Sequence, residues 1–451
     1  MMRNHTTGKA KLLPSRFPRN GVRELTRLGR SLALPVVLIV LSCPANADLM
    51  VGAAAVKITA PNGTPMAGYY SARLSTGVHD DLWAKAIVLD VDGTKAALVS
   101  LDLITTSREM VESARKEVEK TTGIRGENVM IGATHAHTGP VIVSNSTRDG
   151  ALGGSADIAR KYNLELPAKI AQAVKEAESK LQPSRALAGI GQETRLAFNR
   201  RFHMKDGSVG WNPGKLNPNI VRPAGPIDPD VSVLYFESAA KKPLATYVTF
   251  AMHLDTVGGL DFSADYPYTL ARILADSKSA DMLTLFALGC CGNLNHIDVN
   301  WADPQKGHAE AARIGGILAG AVLKVYRDLQ PVDSGTLRIR SETVKLPPAP
   351  ISAKDVEEAN KTAERFGTKE QAPFLQTVFA FKALDIAARN GKPMDVEVQV
   401  IALGNEVAFV SLPGEIFVEL GLAIKKASPF KHTFIAELAN GSIGYIPDRA
   451  A

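Results

Sequence analysis

Apolar, β-branched runs alternate with longer helical patterns along most of this 451-residue chain, a rhythm that admits only folds in which sheets are covered by helices. The runs expected as strands lie at 51–58, 85–91, 95–102, 128–134, 184–190, 231–237, 244–252, 283–289, 335–345, 395–403, 406–411 and 432–438. Asp92-Gly93, flanked by two of these runs, is a hairpin turn signal. Helical patterns cover 107–121, 159–181, 267–278, 306–328, 352–366, 372–390 and 415–427, several opening on Ser, Asp or Pro. Hairpins mixed with strand–helix units predict an α/β (mixed α+β) architecture: mixed β-sheets flanked by helices, in a single large domain over residues 48–451. Residues 202–230 hold several Pro, Gly and Asn and read as a long surface loop. Behind Leu346-Pro347-Pro348-Ala349-Pro350, the charged helical pair at 352–390 reads as an insertion, a solvated excursion or a lid.

The formal charge of +6 (52 Lys and Arg against 46 Asp and Glu) suggests nucleic acid until the charges are located. Arg3, Lys9, Lys11, Arg16, Arg19, Arg23, Arg27 and Arg30 crowd the first 47 residues with Glu24 as their single acid, so the excess belongs to that stretch and nucleic acid is not an expected partner. An apolar run from Leu32 to Leu41 follows, then Ala45-Asn46-Ala47. Together these features predict a secretory signal over 1–47 and an exported, periplasmic or secreted protein. The run is too short to span a bilayer, which takes about 20 apolar residues. No membrane span is expected in the mature chain, and transient contact with a membrane surface is compatible with it. Val40-Leu41-Ser42-Cys43 departs from a lipoprotein box at Leu41, so anchoring through Cys43 is not expected. Cys290 and Cys291 are neighbours, which bridge only with strain, so stability is expected from the core.

Polar, reactive residues collect just after the apolar runs, where a rigid scaffold aims loop side chains at one point. After 128–134 comes Thr134-His135-Ala136-His137-Thr138-Gly139-Pro140. Two histidines at i and i+2 on extended backbone point the same way, which suits two metal ligands, or one ligand and one acid/base. A metallo-β-lactamase pattern is excluded because Thr138 and Gly139 stand where Asp-His would follow, and an amidohydrolase barrel would need eight regular strand–helix units. His253-Leu254-Asp255 ends another run. Next, Gly289-Cys290-Cys291-Gly292-Asn293-Leu294-Asn295-His296-Ile297-Asp298 combines glycines that allow close backbone approach with residues too polar for a core; the cysteines read as small buried hydrophobes. Leu412-Pro413-Gly414-Glu415 places an acid at the expected opening of a helix, where the dipole alone would account for it. Finally, Asn440-Gly441-Ser442-Ile443-Gly444-Tyr445 leaves a tyrosine in a loop.

Taken in order, and together with Val51-Gly52-Ala53-Ala54-Ala55-Val56-Lys57-Ile58-Thr59, Gly68-Tyr69-Tyr70 and Asn199-Arg200, these segments resemble the catalytic domain of the neutral/alkaline, non-lysosomal ceramidases. The resemblance implies a zinc-dependent hydrolase of N-acyl (amide) bonds acting on sphingolipid, with a small-molecule or lipid N-acyl substrate. By the same resemblance, His135, His253, Glu415 and Tyr445 would hold Zn2+, His137 would shuttle the proton of a metal-activated water, and Arg200 would contact substrate or its oxyanion. Asp255 or Asp298 would orient a histidine. The chain departs from the family at Gly292-Asn293-Leu294-Asn295-His296-Ile297, where Asn295 stands in place of a serine. An amide is no nucleophile, so Asn295 would at most donate a hydrogen bond to substrate. With the sequence ending shortly after Tyr445, no immunoglobulin-like C-terminal domain is expected. Both departures leave open a non-ceramide N-acyl substrate, or a non-catalytic exported binding protein of the same fold.

Overall fold

The computed structural model describes residues 49–144 and 146–451. The export signal expected at 1–47 and Cys43 lie outside the described residues. Twelve main strands build two sheets. In chain order they are β1 (Met50–Lys57), β2 (Trp83–Val91), β3 (Thr94–Leu101), β4 (Val129–Ala133), β5 (Gln182–Gln192), β6 (Asp230–Ser238), β7 (Pro243–Phe250), β8 (Leu283–Leu288), β9 (Leu337–Leu346), β10 (Met394–Leu403), β11 (Val407–Leu412) and β12 (His432–Glu437). The larger sheet runs β8-β7-β6-β5-β1-β2-β3-β4, with the short Gln330–Pro331 pairing alongside β5; the smaller runs β9-β10-β11-β12. Three neighbouring pairs are parallel, β3 with β4, β7 with β8 and β11 with β12, and the rest antiparallel, so both sheets are mixed.

Period-two alternation sorts the side chains into layers. From β2 and β3, Ala86, Val88, Ala97 and Val99 turn toward α1 (Arg108–Thr122) and α3 (Asp157–Glu178), meeting Val111, Ala114, Val118, Leu166, Ile170 and Val174. Their neighbours Ile87, Leu89, Ala96 and Leu98 turn the other way and pack on the smaller sheet through Ile401, Leu403, Phe409 and Phe434. At the other end of the large sheet, Val231, Val233, Val248 and Phe286 bury against α4 (Tyr266–Lys278) and α5 (His308–Asp328). Helices, nine-stranded sheet and four-stranded sheet therefore stack as three layers, with α8 (Val418–Ala427) closing the far side through Leu420 and Ile424. Strands and helices occupy the positions expected for them to within a few residues.

Three local readings differ. Residues 202–230 are not all loop: Arg201–Met204, Val209–Trp211 and Ile220–Pro223 form a small antiparallel sheet, because its hairpins need only the Gly and Asn turns that made the segment look irregular. A short helix, α2 (Thr147–Ala151), follows the His135 loop, capped by the Ser146 hydroxyl. Glu415 does not open a helix. It lies in the two-residue strand Glu415–Ile416, paired with Tyr445–Ile446, and α8 starts only at Val418. The helical pair of the 352–390 segment is α6 (Ala353–Ala363), opened by a Ser352–Asp355 capping box, and α7 (Phe374–Ala388), whose Phe374 and Phe381 pack on Tyr70. No helix among the described residues is long and apolar enough to cross a membrane.

Candidate metal centre

Parallel pairing puts the carboxyl ends of two strands side by side. Here it does so three times, and the loops leaving β3/β4, β7/β8 and β11/β12 meet at one place. Backbone contacts fix their approach. The amides of His135 and Ala136 donate to the Leu103 carbonyl at 2.8 and 3.1 Å, and the Gly292 amide donates to the Ile416 carbonyl at 2.8 Å. A Cβ on Gly292 would run into the Glu415 carbonyl, so glycine is required there by close approach.

His135 and His137 do converge, but not by strand alternation. β4 ends at Ala133, and His135 adopts φ +76°, a left-handed conformation stabilised by the Leu103 carbonyl. The His137 Nε2 lies 3.2 Å from the His135 Nε2, which in turn lies 2.9 Å from the His253 Nε2. Ligand atoms of these three buried histidines all fall within 4.8 Å of one another. The tautomers follow from the outer ring nitrogens. His135 Nδ1 faces the Ile104 carbonyl at 2.7 Å and His253 Nδ1 the Cys291 carbonyl at 3.4 Å; carbonyls only accept, so both Nδ1 atoms carry the hydrogen. Their Nε2 lone pairs then face each other across 2.9 Å, an arrangement stabilised by a proton or a cation between them. Burial and the nearby Arg200 push His253 well below the usual histidine range, and burial pushes His137 down to about 3 despite Asp255, so protonation is disfavoured.

Glu415 completes the cluster. Its Oε2 lies 3.4 Å from the His135 Nε2 and 3.5 Å from the His253 Nε2, yet has no hydrogen-bond partner. Burial pushes its carboxyl up, but His135, a hydrogen bond with Tyr445 and the Arg200 guanidinium more than offset this and hold it at about 2. Tyr445 is 42% exposed as a residue, but its hydroxyl turns inward and accepts from Arg200 Nη2 at 3.0 Å. Arg200 also donates to the Gly292 carbonyl at 2.6 Å and stacks over Trp211, 4.4 Å from the ring centre. Its Nε–H is buried and unpartnered. Facing imidazole lone pairs, an ionised carboxylate with an orphaned oxygen and an inward phenol fit a resident metal cation.

The remaining residues singled out in the sequence are spread around this centre. Asp255 stands behind His137, its carboxylate 3.8 Å from the Nδ1, while Tyr69 donates to it at 2.5 Å and Lys306 lies 3.7 Å away. Asp298 accepts from the Asn300 amide in its own loop and, among the described residues, forms no hydrogen bond or ion pair with a site histidine. Asn295 is buried beside Phe198; its carbonyl oxygen accepts from Ile297 and its nitrogen donates to Asn212, leaving one amide hydrogen free. Sequence reasoning passed over Glu437. This fully buried carboxyl at the end of β12 accepts from the Ile416 amide at 2.7 Å and the Cys291 thiol at 3.1 Å, and burial pushes its pKa well up. A charged residue closing an otherwise apolar strand was the available signal. Tyr69, whose ring meets His137 edge-on, and Trp211 were likewise not assigned to the site.

No family model matches the chain. Over 246 residues it is 30% identical to the neutral ceramidase of Pseudomonas aeruginosa, a match covering 49% of this chain and 33% of that protein. It is 25% identical over 216 residues to neutral ceramidase A of Dictyostelium discoideum, covering 46% of this chain and 29% of that one. These matches thus span about a third of the relatives' own length. The fold superposes on the crystal structure of neutral ceramidase from Pseudomonas aeruginosa with a TM-score of 0.69 at 19% identity, over 90% of this chain and 69% of that one. A ceramidase complexed with C2 gives the same TM-score at 18% identity, over 90% of this chain and 70% of that one.

Proposed function

We propose, from the match of about half of this chain to two neutral ceramidases, that it is an exported, zinc-dependent hydrolase of N-acyl amide bonds of the neutral ceramidase type, with ceramide the substrate that its relatives' names point to. The observation that carries this reading is the 2.9 Å approach of the His135 and His253 lone pairs beside the orphaned Glu415 oxygen. His135, His253, Glu415 and Tyr445 would hold the metal. Zinc bound there supplies a Lewis acid that makes water a nucleophile near neutral pH and polarises the amide carbonyl.

The chain's own groups do the rest. The Asp255 carboxylate lies 3.8 Å from the His137 Nδ1, beyond hydrogen-bond reach, and Tyr69 packs edge-on against the ring; the His137 Nε2 faces the centre and takes a proton from the attacking water. Burial keeps that ring neutral and therefore able to accept. As the water oxygen bonds to the carbonyl carbon and the C–N bond breaks, the same Nε2 returns the proton to the leaving nitrogen, giving a fatty acid and an amine. The unpartnered Nε–H of Arg200 is the available donor for the carbonyl oxygen as negative charge gathers on it. Asn295, in place of the family's serine, can offer only its free amide hydrogen, which favours a second reading: the same chemistry on an N-acyl substrate other than ceramide. The test is zinc content of the purified protein together with fatty-acid release from ceramide and simple N-acyl amines. Less than about a tenth of a zinc per chain after reconstitution would sink the enzyme reading and leave a binding protein of the same fold.

A further inference from the structure

The segment read from sequence as an insertion reaches the metal centre. Lys382 projects inward from α7, and its ammonium lies against the backbone of Gly444, one residue before Tyr445; a Cβ on Gly444 would collide with it. Tyr70 packs on Phe374 and Phe381 of the same helix, while its neighbour Tyr69 touches His137, so α7 forms one wall beside the catalytic histidine. Arg148, from α2, adds a second cation next to the Tyr70 hydroxyl.

Two of the acids nearby are already occupied, and the third, Glu415, faces the histidines. Asp149 accepts from the Ser144 hydroxyl and amide and from Arg148. Asp385 accepts from the Ser146 hydroxyl and from the amide and hydroxyl of Thr147. Lys382 forms no hydrogen bond or ion pair among the described residues, although it is partly buried and close to a like charge. Burial and Arg148 lower its pKa, with Glu415, Asp385 and Asp149 acting against them. An ammonium held in this way is stabilised by an incoming anion, and one unpaired positive charge matches one carboxylate.

Resting on the hydrolase reading above, we propose that Lys382 is an anion subsite beside the metal centre, and that the substrate is an N-acyl compound whose amine half carries a carboxylate, an N-acylated amino acid. Ceramide, which is neutral, leaves this ammonium unanswered.

The test compares N-lauroylglycine with neutral N-lauroyl-ethylamine on the zinc-loaded protein. Wild type is expected to favour the carboxylate in kcat/KM by about 10-fold or more, a ratio that collapses toward one in Lys382→Met and is retained in Lys382→Arg. Calorimetric titration of N-lauroylglycine gives a readout without turnover. Binding that weakens about 10-fold in Lys382→Met supports the subsite even if no amide is cleaved, an outcome that would instead defeat the hydrolase reading. Equal kcat/KM for the two amides in wild type overturns the subsite even when cleavage is fast, and needs no variant to fold.

Discussion

Glu437 Oε2 accepts the amide of Ile416 at 2.7 Å, one residue beyond Glu415, while its Oε1 accepts the Cys291 thiol at 3.1 Å. Because the Cys291 carbonyl faces His253 Nδ1, one buried carboxyl ties together the peptides that present two of the metal-facing groups. Glu437→Ala leaves the Ile416 amide buried without an acceptor, a loss of about 1–3 kcal/mol. Metal affinity should fall about 10-fold or more as both peptides loosen. Glu437→Gln, which keeps an amide oxygen for Ile416, should retain most of both. Chelator-competition titrations and thermal unfolding of the two variants measure this, and equal metal affinity in wild type and Glu437→Ala would remove Glu437 from any role at the centre.

Asp255 accepts from Tyr69 at 2.5 Å, and its carboxylate lies 3.8 Å from the His137 Nδ1, where its charge favours positive charge on that ring. Asp255→Asn should lower kcat about 10- to 100-fold with zinc content unchanged. Tyr69→Phe, which removes only the 2.5 Å hydrogen bond, should give a smaller loss of the same kind. Loss of zinc in either variant would contradict a role confined to His137.

Three histidines lie close enough to share one ion, of which His135 and His253 would be ligands and His137 the proton carrier. His135→Ala and His253→Ala should each abolish stoichiometric zinc. His137→Gln should keep zinc and lose about 100- to 10,000-fold in rate, the usual contribution of a positioned acid/base. Metal analysis beside single-turnover kinetics separates the cases; a zinc-free His137→Gln protein would make His137 a ligand instead.

Why so much of this was legible lies in period. Alternation in Ala86-Ile87-Val88-Leu89 commits each side chain to a face, and the three-layer stack follows once helices cover one face and a second sheet the other. His135 and His253 were visible because each follows an apolar run with a residue too polar to bury alone, whereas Glu415 and Tyr445 were singled out only through the family resemblance. Long-range pairing was not visible. Nothing local in Glu415 shows that it pairs with Tyr445 rather than opening a helix, and only that pairing brings its carboxylate to the histidines. The same holds for Glu437 and Lys382, whose roles depend on partners far away in sequence. The left-handed His135 was hidden too, since it answers to the Leu103 carbonyl and not to its neighbours' propensities.

Away from the centre, Arg115 of α1 grips Glu397 of β10 with two hydrogen bonds of 2.8 and 3.0 Å, and Arg108 adds a third at 3.2 Å. This joins the helical layer to the smaller sheet across the edge of the larger one. Burial pushes the Glu397 carboxyl up, but Arg115 and Arg108 outweigh it and hold the group below the usual glutamate range. A depressed carboxylate pKa stabilises the fold above the unfolded value, about 4.3, and that contribution is lost as pH falls through the folded value. Glu397→Gln should therefore cost about 1–2 kcal/mol at pH 7, because it takes the countercharge from a part-buried guanidinium that keeps its bond to the Val129 carbonyl. The gap from wild type should narrow as pH drops below about 4, where the wild-type carboxyl becomes neutral as well. Urea unfolding of both proteins from pH 7 to pH 3 reads this directly, and a gap that stays constant across that range would show that the charge on Glu397 contributes nothing to the joint.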